Sequence, residues 1–476
     1  MTEPQLGTEH GRPSSPEGAK RSARTSIAVG FGTAIEWYDY LLYAYTAGII
    51  IAPLFFPSST GAVGLLASFA TFAVGFIARP IGGLVLGALS DRWGRRPVLM
   101  FSIVLIGAAT TAIGLLPPYS AIGVWAPVLL VLLRIIQGFG AGAELAGAIT
   151  LANESAGRRR KGFRSAMAMA GGGVGGLVAL TIVTSMSTAL SEDAFMDWGW
   201  RVPFLFSAVL TIVGILLRRS LEESPEFTAV EQARREGVVR EARINPLIAF
   251  GRAVKANPRN WIAAFLIPTG LNVTGYGVTA FGISYLVGTV GMSTNDGLVV
   301  NLVVSAIMVV GILLFGWLCD KIGAQRVMIV SVIGGVVLAV PYYWLLDTGD
   351  LLTATLASCL MIALGWAAAG AAHSILMPVY FPAEIRSTGL FSARELQGAL
   401  VAGPAPFIAT ALMAAMGGAP WGAAGMLIAA HLITLVGLLI ARPQVGRAEY
   451  EQTPAFAGIR LAETPVTTAD TPRKDY

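Results

Sequence analysis

Apolar runs of membrane-crossing length recur along this chain from residue 27 to residue 441, broken by short polar segments. About 20 apolar residues in helical form span a bilayer. The pattern predicts twelve spans, near 27–51, 61–90, 98–116, 126–153, 165–188, 201–217, 260–288, 297–319, 327–346, 351–380, 387–415 and 421–441. The fold class expected is an all-α polytopic membrane protein. Residues 1–26 and 442–476 are polar and read as disordered tails, and the charged segment 218–259 reads as a linker between two six-span halves, 27–217 and 260–441.

An internal repeat supports the division into halves. The turn after the second span reads Gly87-Ala88-Leu89-Ser90-Asp91-Arg92-Trp93-Gly94-Arg95-Arg96. A degraded copy runs from Gly316 through Asp320, Lys321 and Gly323 to Arg326, and Gly87, Asp91 and Gly94 map onto Gly316, Asp320 and Gly323 at one offset. Homologous membrane halves around a central site are a transporter architecture. The two bundles are therefore expected to be pseudo-symmetric.

Composition and charge narrow the function class. Of 476 residues, 55% are hydrophobic and 13% charged, against about 25% charged in soluble domains. The net charge of +5 does not point to nucleic acid, because the basic residues collect in the loops of one side. The loops 52–60, 117–125, 189–200, 289–296, 347–350 and 416–420 hold no Lys or Arg, and of 33 basic residues only Arg79, Arg134, Arg201 and Arg394 escape the opposite side. Positive charge marks the cytosolic face, so both termini are expected in the cytosol, with the protein in a bacterial plasma membrane. Residues 1–26 have no apolar core of a signal peptide. Three scattered histidines and two cysteines in apolar context offer neither a metal site nor a nucleophilic centre. An enzyme is not expected, and neither is a cofactor.

Several motifs resemble those of the major facilitator superfamily and, within it, the metabolite:proton symporter family, whose members carry 2-oxoglutarate, shikimate, citrate and osmoprotectants. Gly87 to Arg96 is similar to the superfamily's signature between spans 2 and 3. Ile35-Glu36-Trp37-Tyr38-Asp39-Tyr40, Ala78-Arg79-Pro80-Ile81-Gly82-Gly83, Trp198-Gly199-Trp200-Arg201-Val202-Pro203-Phe204 and Leu221-Glu222-Glu223-Ser224-Pro225 look like family elements of spans 1, 2 and 6. Arg134-Ile135-Ile136-Gln137-Gly138-Phe139-Gly140-Ala141-Gly142 resembles the span 4 element tied to proton coupling. The resemblance covers about residues 27 to 441 and implies a major facilitator fold and proton-driven uptake. Gly142-Ala143-Glu144-Leu145 departs from the family by lacking an aromatic beside the glutamate. The span 5 Gly-Pro of drug antiporters is absent, which weakens the alternative of an efflux antiporter. A receptor without transport is a further alternative, but no sizeable soluble domain accompanies the spans.

Charges inside a bilayer are costly and need partners or a wet cavity. Seven fall within the predicted spans: Glu36, Asp39, Arg79, Arg134, Glu144, Arg394 and Glu395. Glu36 and Asp39, three apart, are expected on one helix face, where mutual repulsion favours proton uptake. With Glu144 and Arg134 they form the expected coupling set. Arg134 and Arg79 are expected to bind a substrate carboxylate, because guanidinium matches carboxylate geometry. Tyr43, Gln137, Asn272, Tyr276, Asn301, His373 and Gln397 complete the expected binding residues. Arg394 and Glu395 are expected to snorkel to the cytosolic surface. Gly87, Asp91, Arg92, Gly94, Arg95, Arg96, Asp320, Lys321 and Arg326 are expected to form a cytosolic gate, with Gly87 allowing close helix contact. The partners expected are protons, a small carboxylated or zwitterionic metabolite and the lipid bilayer; a monomer suffices.

Overall fold

A computed structural model describes residues 34–57, 61–93, 95–142, 161–219, 246–382, 385–444 and 453–459. Eleven described helices are long and apolar enough to cross a membrane. They are α1 (Ala34–Phe55), α2 (Gly61–Ser90), α3 (Pro97–Leu115), α5 (Lys161–Ala189), α6 (Glu192–Leu217), α7 (Pro258–Val290), α8 (Thr294–Ile322), α9 (Ala324–Leu346), α10 (Leu351–Tyr380), α11 (Thr388–Ala415) and α12 (Trp421–Ile440). The fourth span is the shorter helix α4 (Trp125–Ala141). Its predicted extension beyond Gly142, including Glu144, lies outside the described residues, as do Gly94 and most of the linker.

The helices start and stop where local chemistry requires. Ser293 and Asp350 cap α8 and α10 by accepting from the amides of Asp296 and Thr353, which satisfies donors the first helical turn leaves unpaired. Those Thr353 hydrogen bonds hold the exposed Asp350 carboxyl below its ordinary range. Between α8 and α9 the chain reverses at Gly323, whose φ of +92° is a region side-chain-bearing residues avoid. Outward-facing positions along the helices are large and apolar, among them Ile77, Ile81, Leu132, Leu314 and Trp344. They suit contact with lipid tails.

Within the first half α2 packs on α4, and α3 on α4 and α6; within the second, α12 packs on α7 and α9. Among the described residues the halves meet along two main seams, α5 along α8 with α10 beside it, and α2 along α11. The first is lined by small residues that let backbones approach: a Cβ on Gly316 would lie 2.4 Å from the Ala166 Cβ. Gly87 makes no such contact with the described residues. It is exposed, and a Cβ there would meet nothing within 4 Å among the described residues. On α2 the close contacts come from Gly82 and Gly83, packed on the backbone at Phe139 and Gly142. The internal repeat also shows in the backbone, since α1 and α7 each carry a π-helical turn, at Ala47–Ile51 and Gly277–Phe281. Such turns widen a helix and cluster at functional sites.

The carboxyl-terminal tail is not wholly a disordered extension. Residues 453–459 pack onto the α8–α9 turn, burying Ala455, Phe456 and Ile459 against Cys319, Ala324 and Val327. The Phe456 ring centre lies 4.6 Å from Nζ of Lys161 at the start of α5, an arrangement that attracts a cation. Apolar residues in a polar stretch form this contact, so average composition hides it.

Candidate functional site

A cavity lies between the halves, walled by α1 and α5 on one side and by α7, α8, α10 and α11 on the other. Two tryptophans face it, each seated on a bare glycine. A Cβ on Gly172 would lie 3.0 Å from Cδ1 of Trp37, and one on Gly275 would lie 2.8 Å from Cδ1 of Trp366. Polar groups are few: Tyr45, Asn272, Tyr276, Thr279, Ser305 and His373. Tyr45 and Ser305 place their hydroxyls 3.5 Å apart across the halves. Asn272 donates to Gln397 Oε1 at 2.7 Å, so buried Gln397, one turn beyond Arg394, orients Asn272. Arg394 is the one charged side chain among the described lining residues, and no Asp or Glu lines the cavity there.

Arg394 and Glu395 therefore do not snorkel. They point inward because α11 begins several residues earlier; at 1.5 Å per residue they lie roughly 10 Å inside. Glu395 is 4% exposed and accepts from Arg79 Nε at 3.3 Å, while Nη2 of Arg79 lies 3.4 Å from Glu36 Oε1. Arg79 thus bridges α1, α2 and α11 and ties one half to the other. It does not line the cavity.

Arg134 is likewise withdrawn from the cavity. It is fully buried within the first half. Nη1 donates to Gln137 Oε1 and Nη2 to the Phe72 carbonyl at 3.1 Å. Its guanidinium carbon stands 4.2 Å from the Tyr43 ring centre and 5.2 Å from that of Tyr40. Gly75 makes this possible, because a Cβ there would lie 2.7 Å from Arg134 Nη2. Gln137 donates onward to the Asp39 carbonyl and to Thr110, and Tyr43 donates to the Ser68 carbonyl. Arg134, Gln137 and Tyr43 thus form an aromatic-lined clasp holding α4 to α1, α2 and α3. Asn301 is also turned away, donating to the Thr279 carbonyl at 2.6 Å. Of the expected binding residues, the cavity receives Asn272, Tyr276 and His373.

Glu36 and Asp39 do not repel one another across a shared face. Glu36 turns to Arg79, whereas Asp39 turns to α6, where Ser207 Oγ donates to its Oδ1 at 2.5 Å. Three residues of helix advance by 300°, so the two side chains stand about 60° apart around the axis, and it is their different tertiary partners that send them different ways.

The gate turns are described unevenly. The side chains of Asp91, Arg92, Arg95 and Arg96 lie outside the described residues. Asp320, the repeat partner of Asp91, accepts from the amides of Gly162 and Phe163 at 2.8 and 3.0 Å. A carboxylate of one half thereby caps a helix amino terminus of the other, a favourable charge–dipole contact. Lys321 and Arg326 are exposed, Lys321 lying over Trp317 and Arg326 donating to the Ile322 carbonyl. Asp320→Ala should open this end more often. The buried thiol of Cys319 should then react with a water-soluble maleimide at least about tenfold faster, since one lost charge-assisted bond is worth roughly 1.5–3 kcal/mol. An unchanged rate would show that Asp320 does not hold the seam.

Sequence reasoning missed Glu395, Arg394, Trp37, Trp366 and Tyr45 as site residues. The available signal was an acid–base pair in an otherwise apolar span, three residues from Gln397.

Residues 31–406 match the family model of the Major Facilitator Superfamily. The chain is 35% identical over 431 residues to the shikimate transporter of Escherichia coli (strain K12), covering 89% of this chain and 94% of that protein. It is 33% identical over 405 residues to the glycine betaine/proline/ectoine/pipecolic acid transporter OusA of Dickeya dadantii (strain 3937), covering 83% and 78%. A partially occluded, inward-open structure of the xylose transporter XylE from E. coli superposes with a TM-score of 0.64 at 20% identity, covering 88% of this chain and 98% of that one. With its apolar helices, its repeated halves and the cavity between them, the chain belongs to the Major Facilitator Superfamily and is a multi-pass membrane transporter, not an enzyme.

Proposed function

We propose that this transporter takes up a small carboxylated metabolite together with a proton, by alternating access of the central cavity. The observation that carries this reading is Arg394, the one charged side chain among the described lining residues, set beside Asn272 and His373 between two tryptophan faces. A guanidinium in a mainly apolar cavity binds a carboxylate strongly and in a defined orientation. The polar groups around it suit hydroxyls, and the indoles suit a flat or apolar body. The shikimate transporter is a relative whose named substrate has this chemistry.

The buried carboxylates Glu36, Asp39 and Glu395 supply groups able to carry the proton, and the proton gradient supplies the energy without a cofactor. The positive-inside charge pattern supports a cytosolic Asp320 end and cytosolic termini. One chain contains both halves, so a monomer is the functional unit.

A zwitterion is the second reading. The faces of Trp37, Trp366 and Tyr276 attract a quaternary ammonium, and the OusA relative is named for betaine and proline. Uptake into proteoliposomes under an inward proton gradient separates the readings. Shikimate should accumulate above its external concentration, and glycine betaine and proline should not. Betaine accumulation without shikimate uptake would favour the zwitterion, and accumulation indifferent to the gradient would exclude proton coupling.

A further inference from the structure

The Arg79 bridge supports an inference that rests on proton-driven carboxylate uptake and says how the two loads are coupled. Four charged side chains form one buried group, of which Arg394 lines the cavity and the other three lie behind it. Glu36 comes from α1, Arg79 from α2, and Arg394 and Glu395 from α11. The titratable neighbours facing this group are Tyr40, Tyr276 and His373. Two cations and two anions balance, so the empty site is neutral.

Among the described residues, two charged contacts tie the halves together toward the Asp320 end, one at each seam. Asp320 on the α5 amino terminus lies near the helix ends, where water can replace it. The Arg79–Glu395 pair lies deep along the α2–α11 seam, where pulling a carboxylate from its paired cation is costly. Opening that end separates α2 from α11 and so must break this pair. Arg79 has a second partner in its own half, Glu36, and can stay compensated when the halves part. Among the described residues Glu395 has no second cation across the seam, only Arg394 beside it in its own helix, which a substrate carboxylate would occupy.

We propose that Glu395 is the proton-coupling residue, and that the Arg79–Glu395 pair is a latch which one proton and one substrate carboxylate release together. From the side opposite Asp320, a proton enters the cavity and adds to the Glu395 carboxylate, giving the neutral acid. Arg79 is then held by Glu36 alone. This leaves one surplus positive charge, and a monocarboxylate bound to Arg394 cancels it. Neither load alone leaves the site neutral: the proton leaves a cation, and the substrate leaves an anion. With both aboard the latch is off, the α2–α11 seam can part, and substrate and proton leave at the Asp320 end. Arg79 and Glu395 re-form their pair on the return. The coupling follows from charge balance and requires no direct contact between proton and substrate.

The test uses the full-length protein in proteoliposomes with shikimate as the probe. Wild type should accumulate shikimate under an inward proton gradient; if it does not, the uptake reading itself fails and the latch fails with it. Provided wild type accumulates, Glu395→Gln, a fixed mimic of the neutral acid, should lose at least tenfold of gradient-driven accumulation while exchanging shikimate between equal pools within about threefold of wild type. Undiminished accumulation by E395Q would overturn the latch and leave the uptake reading intact. A second measurement does not depend on the variant. Wild type in weakly buffered detergent solution should take up one proton per shikimate bound. Uptake of none would overturn the proposal, as would equal uptake by folded E395Q, which would place the proton elsewhere, on His373 or Asp39.

Discussion

Replacement of Arg394 by alanine should reduce shikimate uptake about a hundredfold, mostly through weaker binding. A charge-assisted hydrogen bond is worth roughly 1.5–3 kcal/mol, and a bidentate guanidinium–carboxylate contact lies at the upper end; every 1.4 kcal/mol or so is about tenfold in affinity. No other cation among the described lining residues can take over. Arg394→Lys should fall between alanine and wild type, because an ammonium keeps the charge but loses the planar fork. Concentration-dependent uptake, with binding followed by thermal shift, checks both. Wild-type affinity in the alanine variant would remove Arg394 from the substrate site and transfer the role to Asn272 and His373.

Arg79→Met should be the most destabilising single change in the central cluster. It leaves Glu36 and Glu395 facing one another with their shared cation gone. Breaking a buried ion pair from one side costs about 3–5 kcal/mol, a large part of any protein's net stability. The variant should melt at a lower temperature and give little folded protein. Adding Glu395→Gln should recover part of the loss, because an amide needs no counter-charge. By contrast Glu395→Gln alone should fold well, since Arg79 keeps Glu36. Melting curves of the three purified proteins decide this. Equal stability of R79M and wild type would mean that Arg79 does not compensate the two carboxylates.

How much was legible from sequence differs sharply between fold and site. Hydropathy alone locates eleven long helices and the shorter α4, most of their described ends within a few residues of prediction although α6 starts nine residues before its predicted 201, since a span must be apolar and about 20 residues long whatever it packs against. The repeat is legible for the same local reason: Gly323 needs a positive φ and Asp320 a helix start to cap. The site was read less well. Glu36, Asp39, Arg79 and Arg134 all stand out as intramembrane charges, yet their partners come from helices up to 316 residues away in the chain. No periodicity reports such pairings. Arg134 reads as a substrate ligand until Gly75 and the Tyr43 ring are seen to enclose it.

The chain's own pattern determines that this protein crosses the membrane many times, in two related halves, with a few ionisable groups kept inside. These properties follow from the cost of placing polar groups in hydrocarbon, which acts residue by residue. Tertiary structure alone decides which charges meet and which face open space. Arg79 becomes a bridge and Arg394 a cavity wall because α2 and α11 lie side by side, and that neighbourhood is set by packing across the whole molecule.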